Sequence, residues 1–176
     1  MLQPVPDANP EARVIRARLA INQGSLDRAE QLLAEGPKNH PELAKFRGQL
    51  ALKRVDGPAA LRHFQQAYAT KPDDPVTLMG LATALKLTGE PAAAEPFLAK
   101  LQRFHELTQL AGRISAANAA TDGELHRQIG SICEAIGRRA EALAWYRLAI
   151  TRNPLDDDAQ RAIFRLRTAT VLPAPR

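Results

Sequence analysis

The segment GQLALKRVDGPAALRHFQQAYATKP, residues 48–72, carries the pattern that decides the fold. Its landmarks are small, small, aromatic, small and proline, at Gly48, Ala60, Phe64, Ala67 and Pro72. The segment GSICEAIGRRAEALAWYRLAITRNP, residues 130–154, has the same landmarks at identical spacing, at Gly130, Ala142, Tyr146, Ala149 and Pro154. Because five landmarks share one spacing, an internal repeat is the first feature to interpret.

Two further copies extend the pattern. One has its landmarks 34 residues after those of the first segment, at Ala82, Ala94, Leu98 and Leu101. A shorter, earlier copy has its landmarks at Ala29, Leu33 and Pro41, each 31 residues before Ala60, Phe64 and Pro72 of the first segment. A period of about 34 residues is typical of stacked helix–turn–helix units.

This period and these landmarks resemble the tetratricopeptide repeat over about residues 10–168. The resemblance implies an all-α fold, a right-handed α-solenoid of antiparallel helix pairs closed by a capping helix. The physics agrees, since two closely crossing helices need a Gly or Ala at the crossing and a large ring to fill the next layer. The predicted repeat-packing residues are Gly48, Ala60, Phe64, Ala94, Gly130, Ala142 and Tyr146.

The predicted organisation is a flexible N-terminus, four repeats, a capping helix and a disordered tail or linker. The corresponding ranges are 1–9, then 10–40, 41–74, 75–122 and 123–155, then 156–168 and 169–176. The third repeat contains 14 residues beyond the period, between Ala94 and Ala142. Since this is about four helical turns, we expect a lengthened second helix over 91–112. Its end after Leu110 is left open.

Turn signals separate the two helices of each repeat. Glycines supply them, at Gly24, Gly57, Gly89 and Gly137. In the first copy, Gly36-Pro37 predicts that the second helix stops early.

Composition excludes several classes of protein. With one cysteine among 176 residues, no internal disulfide is possible, and the four histidines lack the spacing of a metal site. The net charge of +5 is spread thinly along the chain, which disfavours nucleic acid as a partner. No apolar run is long enough for a membrane span and no signal peptide is evident, so we expect a cytoplasmic chain without metal or cofactor.

The resemblance implies a concave ligand groove lined by the first helix of each repeat. Carried over by position, the predicted partner-binding residues are Lys45, Gln49, Lys53, Val76, Met79, Thr83, Lys86, Arg127 and Ser131. An apolar centre flanked by basic side chains suits a peptide or helical segment of a partner protein, with acidic residues at its ends. The carboxylate clamp of chaperone-tail adaptors is absent, because Gly80 stands where it needs Asn and Glu124 where it needs Lys.

No catalytic residues are predicted. Cys133 occupies a position that is normally packed, which favours a buried, inert thiol. His126 is interpreted as a packing residue with a hydrogen-bonded ring edge, and Trp145 as a packing residue between repeats. Arg47, at a normally apolar position, either extends its guanidinium to solvent or pairs with a carboxylate.

The sequence therefore predicts a non-enzymatic protein-interaction scaffold whose groove binds a segment of a partner protein. An alternative is an architectural or self-assembly domain of a larger bacterial protein, with contacts made by the long helix and the outer face. Partner identity and oligomeric state are not predicted.

Overall fold

The computed structural model describes residues 9–116 and 122–168, and every regular element in this part of the chain is an α-helix. The helices are α1 (Pro10–Asn22), α2 (Leu26–Ala34), α3 (Pro41–Lys53), α4 (Gly57–Thr70), α5 (Pro75–Leu87), α6 (Pro91–Ala116), α7 (Gly123–Ala135), α8 (Arg139–Arg152) and α9 (Asp157–Thr168). The predicted all-α fold of helix pairs is confirmed. Residues 1–8 of the predicted flexible N-terminus and the predicted tail at 169–176 lie outside the described residues.

Helix starts are fixed by the chain itself. α1, α3 and α5 each begin with a proline, whose missing N–H has no partner in a first turn anyway. The residues just before them, Asn9, His40 and Asp74, accept backbone N–H groups of the first turn. This combination explains why the predicted repeat boundary near residue 41 coincides with a helix start.

The chain divides into two compact units, residues 1–101 and 102–176. In the first, α1, α2 and α3 share a core that includes Leu33, Leu43 and Phe46. A second cluster, centred on Phe64, joins α3, α4 and α5. The predicted packing residue Ala94 is fully buried with Ala82 and Leu85, which packs the start of α6 against α5. Burial of this apolar surface is the main stabilising contribution.

The second unit has a core built by α7, α8 and α9, which includes Leu125, Tyr146 and Leu166. The second half of α6 packs Leu107 and Leu110 against it. Since α6 continues to Ala116, it is four residues longer than the predicted helix ending at 112. The apolar stripe of the lengthened part therefore belongs to the core of the second unit.

Each turn between paired helices contains one residue in the left-handed conformation. Gly24, Gly89 and Gly137 have φ of 75°, 83° and 86°. In the second repeat this residue is Val55, with φ of 58°, whereas the predicted turn glycine, Gly57, is the first residue of α4. A β-branched residue is strained in this conformation.

The Val55→Gly variant is expected to raise the free energy of unfolding by about 0.5–1 kcal/mol, since relief of strain exceeds the added freedom of the unfolded chain. Little packing is lost, because Val55 is 71 % exposed. Urea denaturation measures the change. Leu155→Gly is the control, since Leu155 is also exposed in a turn but has no positive φ. A loss of stability in Val55→Gly would contradict the strain.

The early end of α2 is held by Arg47 of α3. Its guanidinium donates to the carbonyl oxygens of Leu33 at 2.7 Å, Gly36 at 2.9 Å and Pro37 at 3.2 Å. It also donates to the Lys38 carbonyl. Neither predicted alternative for Arg47 described these partners. The side chain satisfies carbonyls that the end of a helix leaves without intrahelical partners.

Candidate functional site

An apolar groove lies on the first unit, between α3 and α5. It has a volume of about 390 Å³, and Phe64 and Gly80 contribute to its lining. Its other lining residues are Gln49, Leu52, Pro75, Val76, Met79, Thr83 and Leu101. The structure thus brings together four of the predicted partner-binding residues, Gln49, Val76, Met79 and Thr83.

Two large apolar side chains of α5 remain exposed at this groove. Val76 is 43 % exposed and Met79 is 52 % exposed. They follow one another at helical spacing, so they lie on the same side of α5. A contiguous apolar surface of this kind is typical of sites that bind other proteins.

The two polar side chains of the groove, Thr83 and Gln49, differ in whether they can form a hydrogen bond with a ligand. The Thr83 hydroxyl donates to the Met79 carbonyl oxygen at 2.9 Å, within α5. The half-buried Gln49 amide has no hydrogen-bond partner among the described residues. A partner that entered the groove would therefore meet one amide able to donate and accept.

Lys45, a predicted partner-binding residue, is largely buried and paired with carboxylates. Its side chain is only 13 % exposed, and its ammonium lies 2.8 Å from Glu42 and 3.5 Å from Asp74. Lys71 binds Glu42 as well, at 2.7 Å, and hydrogen bonds from these two lysines lower the pKa of Glu42. Lys45 thereby joins α3 to Asp74, the residue that caps α5.

The other two predicted partner-binding lysines do not line the apolar groove. Lys53 and Lys86 are exposed in the last turns of α3 and α5. Their positive charges are favourable at helix C-termini. They leave the C-terminal ends of both helices basic.

Arg127 and Ser131 belong to the second unit, where they line a cavity of about 330 Å³ between α6 and α7. The Arg127 guanidinium is paired with three carboxylates, at 2.6 Å to Glu124 and at 3.5 Å to Asp156 and Asp158. As with Lys45, charge predicted for a ligand is used inside the fold.

Two of the predicted repeat-packing residues are glycines that lie against aromatic rings. A Cβ built on Gly48 would lie 2.8 Å from the Phe64 ring, and one on Gly130 would lie 2.8 Å from the Tyr146 ring. Ala60 and Ala142 are fully buried beside them. The pKa of Tyr146 is raised to about 12, chiefly by burial and secondly by a hydrogen bond to Glu134.

Gly80 is a packing residue that the sequence reasoning missed. A Cβ on Gly80 would lie less than 3.0 Å from the Phe64 ring. The ring is therefore held between glycines of two successive repeats, Gly48 and Gly80. The available signal was a small residue two positions before Ala82, the first landmark of the third copy.

Cys133 and His126 lie in the core of the second unit. Cys133 is fully buried, and burial raises the pKa of its thiol. The His126 ring lies 5.6 Å from that of the partly buried Trp145. This contact joins α7 and α8 of one repeat, whereas the sequence predicts that Trp145 packs between repeats. The predicted hydrogen bond is not observed at Nδ1, which has no partner among the described residues.

The described residues lack two kinds of feature. They contain no group of three or more His, Cys, Asp or Glu side chains that could hold a metal ion. None of their helices is both long enough and apolar enough to cross a membrane.

Comparisons with known proteins point to one family. Models of the tetratricopeptide repeat match residues 51–114 and residues 10–35. Among solved structures, MamA AMB-1 is 16 % identical with a TM-score of 0.48, over 92 % of this chain and 89 % of that one. TTC0263, a thermophilic TPR protein in Thermus thermophilus, is 19 % identical with a TM-score of 0.38, over 93 % and 100 %. No curated protein matches the sequence.

Proposed function

Since this chain belongs to the tetratricopeptide repeat family, we propose that it is a protein-interaction scaffold that binds a segment of a partner protein in the apolar groove. The observation that carries the proposal is the exposure of Val76 and Met79 at the groove. Covering two such side chains would remove apolar surface from water and favour binding.

The lining indicates the chemistry of the segment. An apolar side chain of the partner would enter between Val76, Met79 and Leu52, above Phe64. The free amide of Gln49 would bond a backbone group, which suits an extended or helical segment. The exposed ammonium groups of Lys53 and Lys86 favour acidic residues at one end of that segment.

The Met79→Glu variant is expected to lower the affinity for the partner at least about tenfold, because it places a charge against the apolar anchor. The partner is first isolated with the wild-type chain, and its affinity is then measured with purified components. Ile15→Glu is the matched control, since Ile15 is 59 % exposed on α1 and does not line the groove. Thermal unfolding checks that both variants fold.

Equal affinities of the Met79→Glu and wild-type chains would remove the groove from the binding surface. Equal losses in Met79→Glu and Ile15→Glu would show that the groove is not the specific site. The Lys86→Gln variant tests the charge separately, and it should slow association and reduce its salt dependence.

The second unit favours a further candidate, an assembly domain that contacts copies of itself or neighbouring domains of a larger bacterial protein. Phe164 is 71 % exposed on α9, and Leu155 is 85 % exposed just before it. The apolar stripe of the long helix is not available for this role, because Leu107 and Leu110 pack on the core. Sedimentation equilibrium of the wild-type and Phe164→Glu chains tests this candidate. If Phe164 contributes to the assembly surface, the variant should have a lower mass in solution than the wild type.

A further inference from the structure

The short second helix of the first repeat leaves part of α4 without a neighbouring helix. α2 has 9 residues, whereas α4 has 14. The chain leaves α2 at Glu35 and passes through Gly36, Pro37, Lys38 and Asn39 instead of completing another helical turn. The space beside the middle of α4 is a cavity of about 380 Å³. It lies between α2 and α4, and none of its lining residues lines the apolar groove.

The lining of this cavity, called here the basic pocket, is positively charged. Its polar lining residues are Lys38, Asn39, Arg47, Arg62, His63 and Gln66. Among the described residues, the lining includes three fixed cations and no carboxylate. The side chains of Lys38 and Arg62 have no hydrogen-bond or ion-pair partner in this part of the chain. Their donors are therefore available to a ligand.

Arg47 gives the basic pocket a fixed charge. Its guanidinium is held by carbonyl oxygens, including those of Leu33 and Gly36, so its position is set before any ligand arrives. Carbonyl oxygens satisfy its N–H groups but do not neutralise its charge. Gln66 fixes the other side by donating to the Lys38 carbonyl oxygen at 2.7 Å.

Two carboxylates of an adjoining cavity have hydrogen-bond or ion-pair partners of their own. A neighbouring cavity shares Arg47 and His63 with the basic pocket, and Glu30 and Asp56 line it. Glu30 pairs with Arg54 at 2.9 Å. Asp56 accepts the Ala59 backbone N–H at 2.9 Å and so caps α4. Arg54 therefore neutralises Glu30, and the charge of Asp56 opposes the cations of the basic pocket only in part.

The pKa of His63 is lowered in this environment. Burial is the largest cause that lowers the pKa of its imidazole, and the charges of Arg62 and Arg47 lower it further. Asp56 has the opposite effect, but a smaller one. An anion bound beside the ring would offset the two guanidinium charges and raise the pKa of His63.

We propose that the basic pocket binds a phosphate-class dianion, either as a free ion or as a phosphoryl group carried on a partner. Arg62 would donate through its guanidinium and Lys38 through its ammonium, and Arg47 would supply charge without donating. A dianion matches several converging cations better than a single carboxylate does. The cavity has many times the volume of a water molecule, about 30 Å³, so it can hold such an anion. The inference does not depend on the proposed role of the apolar groove.

The test is an NMR titration with inorganic phosphate at constant ionic strength, followed at the ring protons of the histidines. The wild-type chain is expected to show a saturable shift at His63 and a raised pKa of that ring. His105 is the internal control, since it is exposed on α6 and lies outside the basic pocket. Arg62→Gln should weaken binding about tenfold, the loss expected when charged hydrogen bonds are removed. Arg18→Gln matches the change in net charge at an exposed site on α1 and should leave the affinity unchanged.

A shift at His63 that does not saturate, or that equals the shift at His105, would overturn the proposal. Equal affinities of the Arg62→Gln and wild-type chains would overturn it too. A phosphoserine peptide and its unphosphorylated form then separate the two sources. Tighter binding of the phosphopeptide than of inorganic phosphate supports the carried group, and the reverse order supports the free ion.

Discussion

The Gly80→Ala variant is expected to lose about 2 kcal/mol of unfolding free energy, although alanine favours helix by about 1 kcal/mol over glycine. The added methyl would lie less than 3.0 Å from the Phe64 ring. That ring is fully buried, and Gly48 of α3 also lies against it. It cannot withdraw without separating helices, so the strain is not relieved by a rotamer change. Urea denaturation with a common slope measures the loss.

Gly112→Ala is the matched control for this prediction. Gly112 also lies inside a helix, α6, but a Cβ there would meet no described atom within 4 Å. The control should gain stability of about 1 kcal/mol from helix propensity alone. The double variant Gly80→Ala/Phe64→Leu should lose less than the sum of its parts, because the smaller side chain makes room for the methyl. If Gly80→Ala were as stable as Gly112→Ala, the packing of Phe64 between two glycines would be wrong.

The sequence predicts what lies inside one repeat better than what lies between repeats. The spacing from Gly48 to Phe64 belongs to one helix pair, so the pattern of that pair contains it. The contact from Phe64 to Gly80 joins successive repeats. The landmark alignment pairs Ala82 with Gly48, so Gly80 is not a landmark and the alignment does not predict this contact. Helix starts were predictable for a related reason, because caps and prolines act on adjacent residues.

The candidate groove was predictable in its apolar part only. Val76 and Met79 remain exposed because the side of a helix that faces away from the core is fixed by helical periodicity. The partners of a long charged side chain are not fixed in this way. Lys45 reaches Glu42 on its own helix and Asp74 at the start of α5, and the second contact requires the tertiary structure. The same holds for Arg127, whose partners Asp156 and Asp158 lie at the start of α9.

The Arg47→Leu variant is expected to lose about 2–3 kcal/mol of unfolding free energy, comparable to the loss from overpacking at Gly80. It would remove the guanidinium donor from the half-buried carbonyl oxygens of Leu33 and Gly36, and the Leu33 oxygen would keep only the Gly36 N–H at 3.4 Å. Those of Pro37 and Lys38 are exposed, so water can replace the guanidinium there. Thermal and urea unfolding measure the loss. Arg54→Leu is the control, because its pairs with Asp27 and Glu30 are on the surface and should contribute much less.

The Arg47→Lys variant separates the two roles of this residue. An ammonium lacks the planar fork that reaches several carbonyls at once, so most of the stability loss should remain. The positive charge beside His63 is kept, however, and phosphate should still bind the basic pocket with nearly wild-type affinity. Stability equal to that of wild type in Arg47→Lys would show that one point charge suffices to hold the end of α2. Because a general loss of structure would reduce stability and phosphate binding together, the divergence of the two measurements identifies the capping role.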